Sequence, residues 1–433
     1  MHSTLQKSPE GLHFSPMAPL SRLAVLSYHT SPLAVPGRGD AGGMNVYVRE
    51  TSARIADSGT AVDIYTRRSD SLSPAVVEVS PGVRVIHVDD RPHEMERERL
   101  PCRLEAFEAG VDAFARAEGV RYQGVVSHYW LSGLAGLELG AAWSVPHAAA
   151  FHTLALAKQA AYSLEPADEE RVRGEQRVVA TADVLLVAGT HERDELVARY
   201  AADRGKIRLA APGVDQARFF PRDRDACRLR LGIRSARKIV LQAGRAIPLK
   251  GGEVLLAALA SMPVERRPDV WIVGGESGSP EHGRLLQCAK NFGVSDSVHL
   301  SGSVEHEKLS VYYGAADVVV APSYYESFGM AALEAEACGR AVVASRVGGL
   351  SAVVAHGLTG LLAAPGDAAA VERALSRLLA DPAEAERFGR AGAAAALSRT
   401  WEETAASTVG ALEEARMIGR PPSSSSELVQ AGA

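Results

Sequence analysis

Two pairs of residues in the second half of the chain have the types and spacing that phosphate and sugar chemistry requires. Arg245 and Lys250 stand five apart in G-R-A-I-P-L-K-G, residues 244–251, and two cations leaving one strand end can hold a diphosphate. Lys250 is one of only seven lysines, against 40 arginines, so a lysine is the more informative cation in this chain. Glu326 and Glu334 stand eight apart in P-S-Y-Y-E-S-F-G-M-A-A-L-E, residues 322–334. If most of that span is helical, a rise of ~1.5 Å per residue separates them by about 12 Å. Carboxylates accept strongly from sugar hydroxyls. A helix start near Phe328 would aim free N–H groups and the positive end of its dipole at the same place. A nucleotide sugar, with two hydroxyl-bearing rings flanking a diphosphate, fits the set.

Strands must place these residues. Apolar runs predict strands over 23–27, 61–65, 83–88, 125–126, 148–151, 184–187 and 207–210, with helix-period segments at 46–56 and 104–117 between them. Such alternation implies a parallel sheet covered on both faces. The turn-rich stretch P-G-V-D-Q-A-R-F-F-P, residues 212–221, interrupts the series. A second set follows at 239–243, 270–273, 298–300, 318–321, 341–344 and 361–363. The predicted fold class is α/β, with two Rossmann-like doubly wound domains at 21–212 and 222–399 and a linker at 213–221. The ligand cleft lies between the domains, beyond the strand carboxyl ends. A helix over 400–418 crosses back to the first domain. The leader 1–20 reads as flexible and the Pro/Ser-rich tail 419–433 as disordered.

The whole chain bounds what the cleft can serve. Its 433 residues require more than one domain. A formal charge of −5 excludes wrapping nucleic acid or coating an anionic membrane. Cys102, Cys227, Cys288 and Cys338 form no C-x-x-C pair, which suits a reducing compartment and argues against thiolate zinc. With no apolar run of ~18 residues and no signal-like leader, the expectation is a cytoplasmic protein that uses no membrane. Gly37, Gly39 and Gly42 spell G-x-G-x-x-G, but nine residues separate Ser27 from Gly37. The second strand ends in Thr66, Arg67 and Arg68, with Asp63 inside it, rather than in a carboxylate. The dinucleotide fingerprint is therefore misplaced. The glycines read instead as a loop feeding the helix at Val46 and meeting a phosphate or sugar oxygen. Asp223 and Asp225 form a D-x-D that reads as a solvated charged turn.

Together, G-R-A-I-P-L-K-G and the Glu326/Glu334 pair resemble the retaining glycosyltransferases of family 4, with their two-Rossmann GT-B architecture, over residues 22–416. The segments HTSPLAVPGRGDAGGMNVYV (29–48), SHYWLSG (127–133) and FHTLALAK (151–158) are similar to the D-inositol-3-phosphate glycosyltransferases. That family moves N-acetylglucosamine from UDP-N-acetylglucosamine to 1D-myo-inositol 3-phosphate in mycothiol biosynthesis.

The resemblance implies a donor site at Val35, Pro36, Gly43, Arg245, Lys250, Val304, Glu326, Ser327, Phe328, Gly329, Met330 and Glu334. Glu326 would take sugar hydroxyls and Glu334 the ribose. It implies an acceptor site at His29, Asp40, Ala41, Gly42, Gly43, Met44, Asn45, Arg97, Tyr129, Thr153 and Arg171. Arg97 stands where the family has lysine, and a planar guanidinium is no direct substitute for an ammonium. A phosphate monoester near −2 needs two cations and several neutral donors, which this set contains. His152, Arg245, Lys250 and Glu326 would be catalytic, the His152 carbonyl lying near the anomeric carbon. No cofactor is required for the chemistry; a structural Mg²⁺ would rest on carbonyls of Tyr313, Gly314 and Ala316. A homodimer is implied, with no nucleic-acid partner.

The alternative within the class keeps the donor site but takes another acceptor: an aminocyclitol, a polyol, or a sugar phosphate as in sucrose-phosphate synthases. A pyridoxal-phosphate phosphorylase shares the architecture but has a much longer chain and a Schiff-base lysine motif not apparent here. A dinucleotide oxidoreductase would bind NAD. A catalytically silent sugar-binding paralogue would not be expected to keep Arg245, Lys250, Glu326 and Glu334 together.

Overall fold

Runs rich in valine, leucine and alanine form two separate sheets in a computed structural model that describes residues 19–93, 95–162 and 168–419. The first contains β1 (Arg22–Leu26), β2 (Ala61–Arg67), β3 (Val76–Ser80), β4 (Val83–Val88), β5 (Val125–His128), β6 (His147–Ala150), β7 (Val184–Val187) and β8 (Ile207–Leu209). Their spatial order is β3-β4-β2-β1-β5-β6-β7-β8, parallel throughout except for the antiparallel pair β3/β4. The second contains β9 (Ile239–Ala243), β10 (Asp269–Val273), β11 (Val298–Leu300), β12 (Val318–Ala321), β13 (Ala341–Ser345) and β14 (Gly360–Ala363), in the order β11-β10-β9-β12-β13-β14. Burial on both faces explains the near-continuous apolar strands: Val240, Val270, Val318 and Val343 pack under one helical layer and Leu241, Val319 and Val342 under the other. The strand β3 was not foreseen, because an exposed edge pairing needs no apolar run.

Strand order decides where ligands can bind. In the first sheet the winding reverses between β1 and β5, so the loops after them, beginning at Ser27 and Tyr129, diverge and leave a crevice. In the second sheet the reversal lies between β9 and β12, whose following loops carry Arg245, Lys250 and Glu326.

The helix Trp401–Ile418 crosses back as expected. Ala411 and Leu412 are buried with Leu23 and Val25 of β1, Thr404 donates to the Ala211 carbonyl at 2.6 Å, and Arg208 pairs with Glu414 at 2.8 Å. Residues 213–221 are more than a tether, since Val214 and Phe219 are buried in the second domain's core. Most of the leader and tail (residues 1–18 and 420–433) lies outside the described residues.

Candidate functional site

The two crevices face one another across a cavity of about 360 Å³. On the second domain, Gly251 has φ +67°, and any Cβ there would run into the Pro322 carbonyl, so glycine lets the β9 and β12 loops touch. Across that contact the Lys250 ammonium pairs with the Glu326 carboxylate, while Gln242 holds the Lys250 carbonyl at 2.9 Å. Arg245 reaches over the cleft to Asp40 of the glycine loop at 3.1 Å. Val304, Ser327, Phe328, Gly329 and Met330 all line the cavity.

The expected helix start near Phe328 requires correction. Gly329, at φ +100°, is the N-cap and the helix runs Met330–Ala337. Half of the span between the two glutamates is therefore loop, and no helical rise relates them. Glu334 is buried, its Oε1 2.7 Å from His306 Nε2 and its Oε2 accepting from the Tyr313 hydroxyl at 2.9 Å.

On the first domain, β5 leads into Tyr129 and β6 into His152, both non-glycine residues at positive φ (77° and 60°). Such backbone is costly and concentrates at binding sites. The helix Trp130–Trp143 starts directly behind Tyr129. Arg171, from the first turn of the helix Glu169–Thr181, places its guanidinium over the Tyr129 ring, 4.9 Å from the centroid. It also donates to the Thr153 carbonyl and hydroxyl at 2.8 and 3.0 Å. Its Nε is held at 2.7 Å by Glu175, a fully buried carboxylate that also accepts from the Ala155 amide and the Tyr200 hydroxyl. His29 lies against the Tyr129 ring at 4.3 Å. Tyr129, Thr153 and Arg171 thus converge on one wall of the cavity, near Asp40, Gly42, Gly43 and Met44.

Several expected site residues fall elsewhere. Asn45 is buried and spends its side chain on the loop: Nδ2 donates to the Thr30 hydroxyl and the Ser31 carbonyl, and Oδ1 accepts from the Gly42 amide at 2.8 Å. It shapes the glycine loop from behind the cavity wall. Ala41 and Val35 also miss the lining, whereas Pro36 joins it. Arg97 begins a short 3-10 helix, Arg97–Arg103, and its side chain lies outside the described residues.

The His152 carbonyl, expected beside the anomeric carbon, accepts from the Ser327 hydroxyl of the opposite domain. Its imidazole Nε2 shares a hydrogen bond with His128 Nδ1 at 2.8 Å. Burial pushes His152 down to about 4 and His128, with His152 beside it, well below the usual histidine value. Both rings are neutral at pH 7, so one donates and the other accepts.

The carbonyls expected to hold Mg²⁺ lie at the C-terminal end of one helix and on the residue that follows it. Tyr313 and Gly314 belong to the helix His306–Ala315, and the Tyr313 carbonyl accepts from the Ala316 amide at 3.2 Å. The neighbouring Ala315 carbonyl is taken by Arg228. Asp317 beside them already meets Arg224 and Arg228 at 2.8 and 2.7 Å. No cluster of three or more His, Cys, Asp or Glu suited to a metal occurs among the described residues. Asp223 of the D-x-D caps the helix Arg224–Arg230 by accepting from the Ala226 amide.

Sequence reasoning missed His306, the Tyr313 side chain, Tyr325 and Lys158, all of which line the cavity. Lys158 could have been found, as one of the rare lysines at the end of a quoted segment. His306 carried only a weak signal, following the short strand β11.

Comparisons agree with this architecture. Residues 42–213 match the model of the glycosyl transferase 4-like domain, and residues 223–395 match that of the glycosyl transferases group 1. The chain is 44% identical over 402 residues to a D-inositol 3-phosphate glycosyltransferase of Streptomyces avermitilis, covering 89% of this chain and 86% of that relative. It is 45% identical over 405 residues to the enzyme of the same name from Geodermatophilus obscurus, covering 90% and 88%. Among solved structures, a sucrose-phosphate synthase from Thermosynechococcus elongatus is similar, with a TM-score of 0.86 and 34% identity over 92% of this chain and 100% of that one.

Proposed function

The chain belongs to the D-inositol 3-phosphate glycosyltransferase family, and from that premise we propose that it transfers N-acetylglucosamine from UDP-N-acetylglucosamine to 1D-myo-inositol 3-phosphate with retention, the opening reaction of mycothiol biosynthesis. The observation that carries the proposal is the convergence of Tyr129, Thr153 and Arg171 on the wall facing Lys250 and Glu326. A hydroxyl, a guanidinium and the helix start behind Tyr129 are a phosphate-binding set, and they line the same cavity as the groups suited to the donor.

In this reading the diphosphate of the donor takes Lys250 from Glu326 and Arg245 from Asp40. Both pairs are partly solvated, so exchanging partners costs little. Glu326, released, accepts from hydroxyls of the transferred sugar, and the N–H groups at the start of the helix Met330–Ala337 face the phosphate oxygens. The acceptor hydroxyl attacks on the face the nucleotide leaves, and its proton passes to the departing phosphate oxygen. Preorganised positive charge stabilises the separating diphosphate. The chemistry asks for no metal, because two side-chain cations and a helix start fill that role, and no step passes through Mg²⁺. Neutral His152 lines the cavity, with neutral His128 bonded to its ring from behind, so neither adds a competing charge. No helix among the described residues is long and apolar enough to cross a membrane; we read the protein as cytoplasmic and, from the resemblance, as a homodimer.

Incubation with UDP-N-acetylglucosamine and 1D-myo-inositol 3-phosphate should release UDP and yield an α-linked product. Failure with this acceptor, together with turnover on another, would reject the assignment. The second reading, a sugar-phosphate acceptor, is favoured by two observations: the similarity to a sucrose-phosphate synthase and the arginine at position 97. Parallel assays with hexose 6-phosphates decide between them.

A further inference from the structure

We propose that His306 is a positioning residue for the nucleotide half of the donor, and that Arg218 fixes the tautomer through which it acts. The inference rests on the donor reading above, in which Glu334 receives the ribose. His306 opens the helix His306–Ala315, and its ring is held against Phe219 at 5.1 Å. One ring nitrogen, Nε2, lies 2.7 Å from Glu334 Oε1. The other, Nδ1, lies 3.1 Å from the Arg218 guanidinium. A guanidinium can only donate. Nδ1 must therefore carry the lone pair and Nε2 the hydrogen, which points at Glu334.

Glu334 gains two fixed donors from this arrangement, His306 on one oxygen and Tyr313 on the other. Each carboxylate oxygen has about two acceptor directions, so each retains one for a ligand hydroxyl. Two adjacent oxygens oriented in this way suit the vicinal diol of a ribose. The position of Glu334 then depends on a residue between the domains. Arg218 lies in the interdomain segment and also faces Glu50 of the first domain's helix Gly43–Asp57 at 3.7 Å, as well as Asp215 at 3.5 Å. Ribose recognition in the second domain is thus tied to the placement of a helix in the first.

The test compares binding of UDP and 2′,3′-dideoxy-UDP to the full chain by calorimetry. The wild type should prefer UDP by about tenfold or more, the worth of hydrogen bonds to a charged group. His306→Leu should compress that preference by about tenfold and leave the acceptor KM within about twofold. His306→Gln, whose amide can donate to Glu334, should recover most of it. Arg218→Met, at a partly solvated site, should compress the preference severalfold and decides the matter if His306→Leu does not fold. A wild type that fails to distinguish the two nucleotides overturns the ribose role of Glu334 itself. A wild type that distinguishes them, with variants that keep the same ratio, overturns the role of His306 and Arg218 alone.

Discussion

The Lys250 ammonium lies against the Glu326 carboxylate, so the loops that leave β9 and β12 are joined by an ion pair at the point where the second sheet reverses its winding. With side chains 27% and 19% exposed, the pair keeps partial contact with water, and a diphosphate bearing more charge than one carboxylate can displace it. Lys250→Met should lower kcat by about 100- to 1000-fold, the scale for removing one preorganised stabilising donor. Lys250→Arg should recover little, because a planar fork does not reproduce an ammonium. Glu326→Gln should reduce kcat while UDP binding stays near wild type. Initial rates and UDP titrations check both; a Glu326→Gln variant that lost UDP affinity as severely as Lys250→Met would remove the distinction between sugar and diphosphate contacts.

Arg171 stacks on Tyr129 and bonds Thr153, and charge-assisted bonds of this kind carry most of the affinity for a phosphate. Arg171→Ala should raise the acceptor KM about 10- to 100-fold, as expected for losing bonds to a charged group, with little change in the donor KM. The preference for phosphorylated over unphosphorylated inositol should fall in parallel. An unchanged acceptor KM would mean that the phosphate binds elsewhere.

How much of this was legible beforehand depended on whether a feature is local. Buried parallel strands write themselves as apolar runs, so among the described residues thirteen of the fourteen strands match such runs and the exposed β3 does not. Arg245, Lys250 and Glu326 were legible because strand ends put them at the cleft. Asn45 has a type that suits a ligand, but its amide also bonds Thr30, Ser31 and Gly42, contacts that only the folded loop creates. The helix start was placed early because a glycine with positive φ at position 329 delays it. His306 went unnoticed because its partners, Arg218 and Glu334, are 88 and 28 residues away.

The neutral pair His128 and His152 has a consequence for stability against pH. An unfolded histidine titrates near 6.5, whereas burial holds His152 down at about 4. Between those values the unfolded chain binds more protons than the folded one, so stability falls as pH drops from about 6.5 towards 4 and is unaffected above. The contribution of His152 is of order 3 kcal/mol when complete. Replacing it by glutamine should reduce that slope, with buried His128 supplying the remainder, in chemical denaturation at pH 7.5, 6 and 5. A wild-type slope that survives in His152→Gln would assign the titration to other groups.

Glu192 works in the opposite sense. It is buried beneath the cavity-lining Ala188, accepts that residue's amide at 2.7 Å, and is pushed up to about 7 by burial. A carboxyl raised from about 4.3 contributes stability at low pH that is lost as pH climbs to and through 7. Glu192→Gln keeps an acceptor for Ala188 and carries no charge. It should match the wild type near pH 5 and be more stable at pH 8, by up to roughly 3 kcal/mol. Equal unfolding midpoints at pH 8 would show that Glu192 ionises without cost.

Trp401 joins both domains at the cleft. It is buried with Val46, Tyr47 and Met330, its ring 5.7 Å from Tyr47, which in turn lies edge-on to His152 at 5.0 Å. Met330 opens the donor-side helix, and its sulfur leaves no room for a side chain at Gly43 of the glycine loop, where a Cβ would lie 3.2 Å from it. Trp401→Ala should destabilise by about 3–5 kcal/mol, the usual cost of emptying a large aromatic site, and should lower kcat at temperatures well below unfolding. Trp401→Phe retains most of the volume and should recover both. If Trp401→Ala melts early but turns over normally when folded, the crossing helix holds the domains together without setting the geometry of the cleft. If both properties fall and both return with phenylalanine, packing at this one position links the C-terminal helix to the reacting groups through Tyr47.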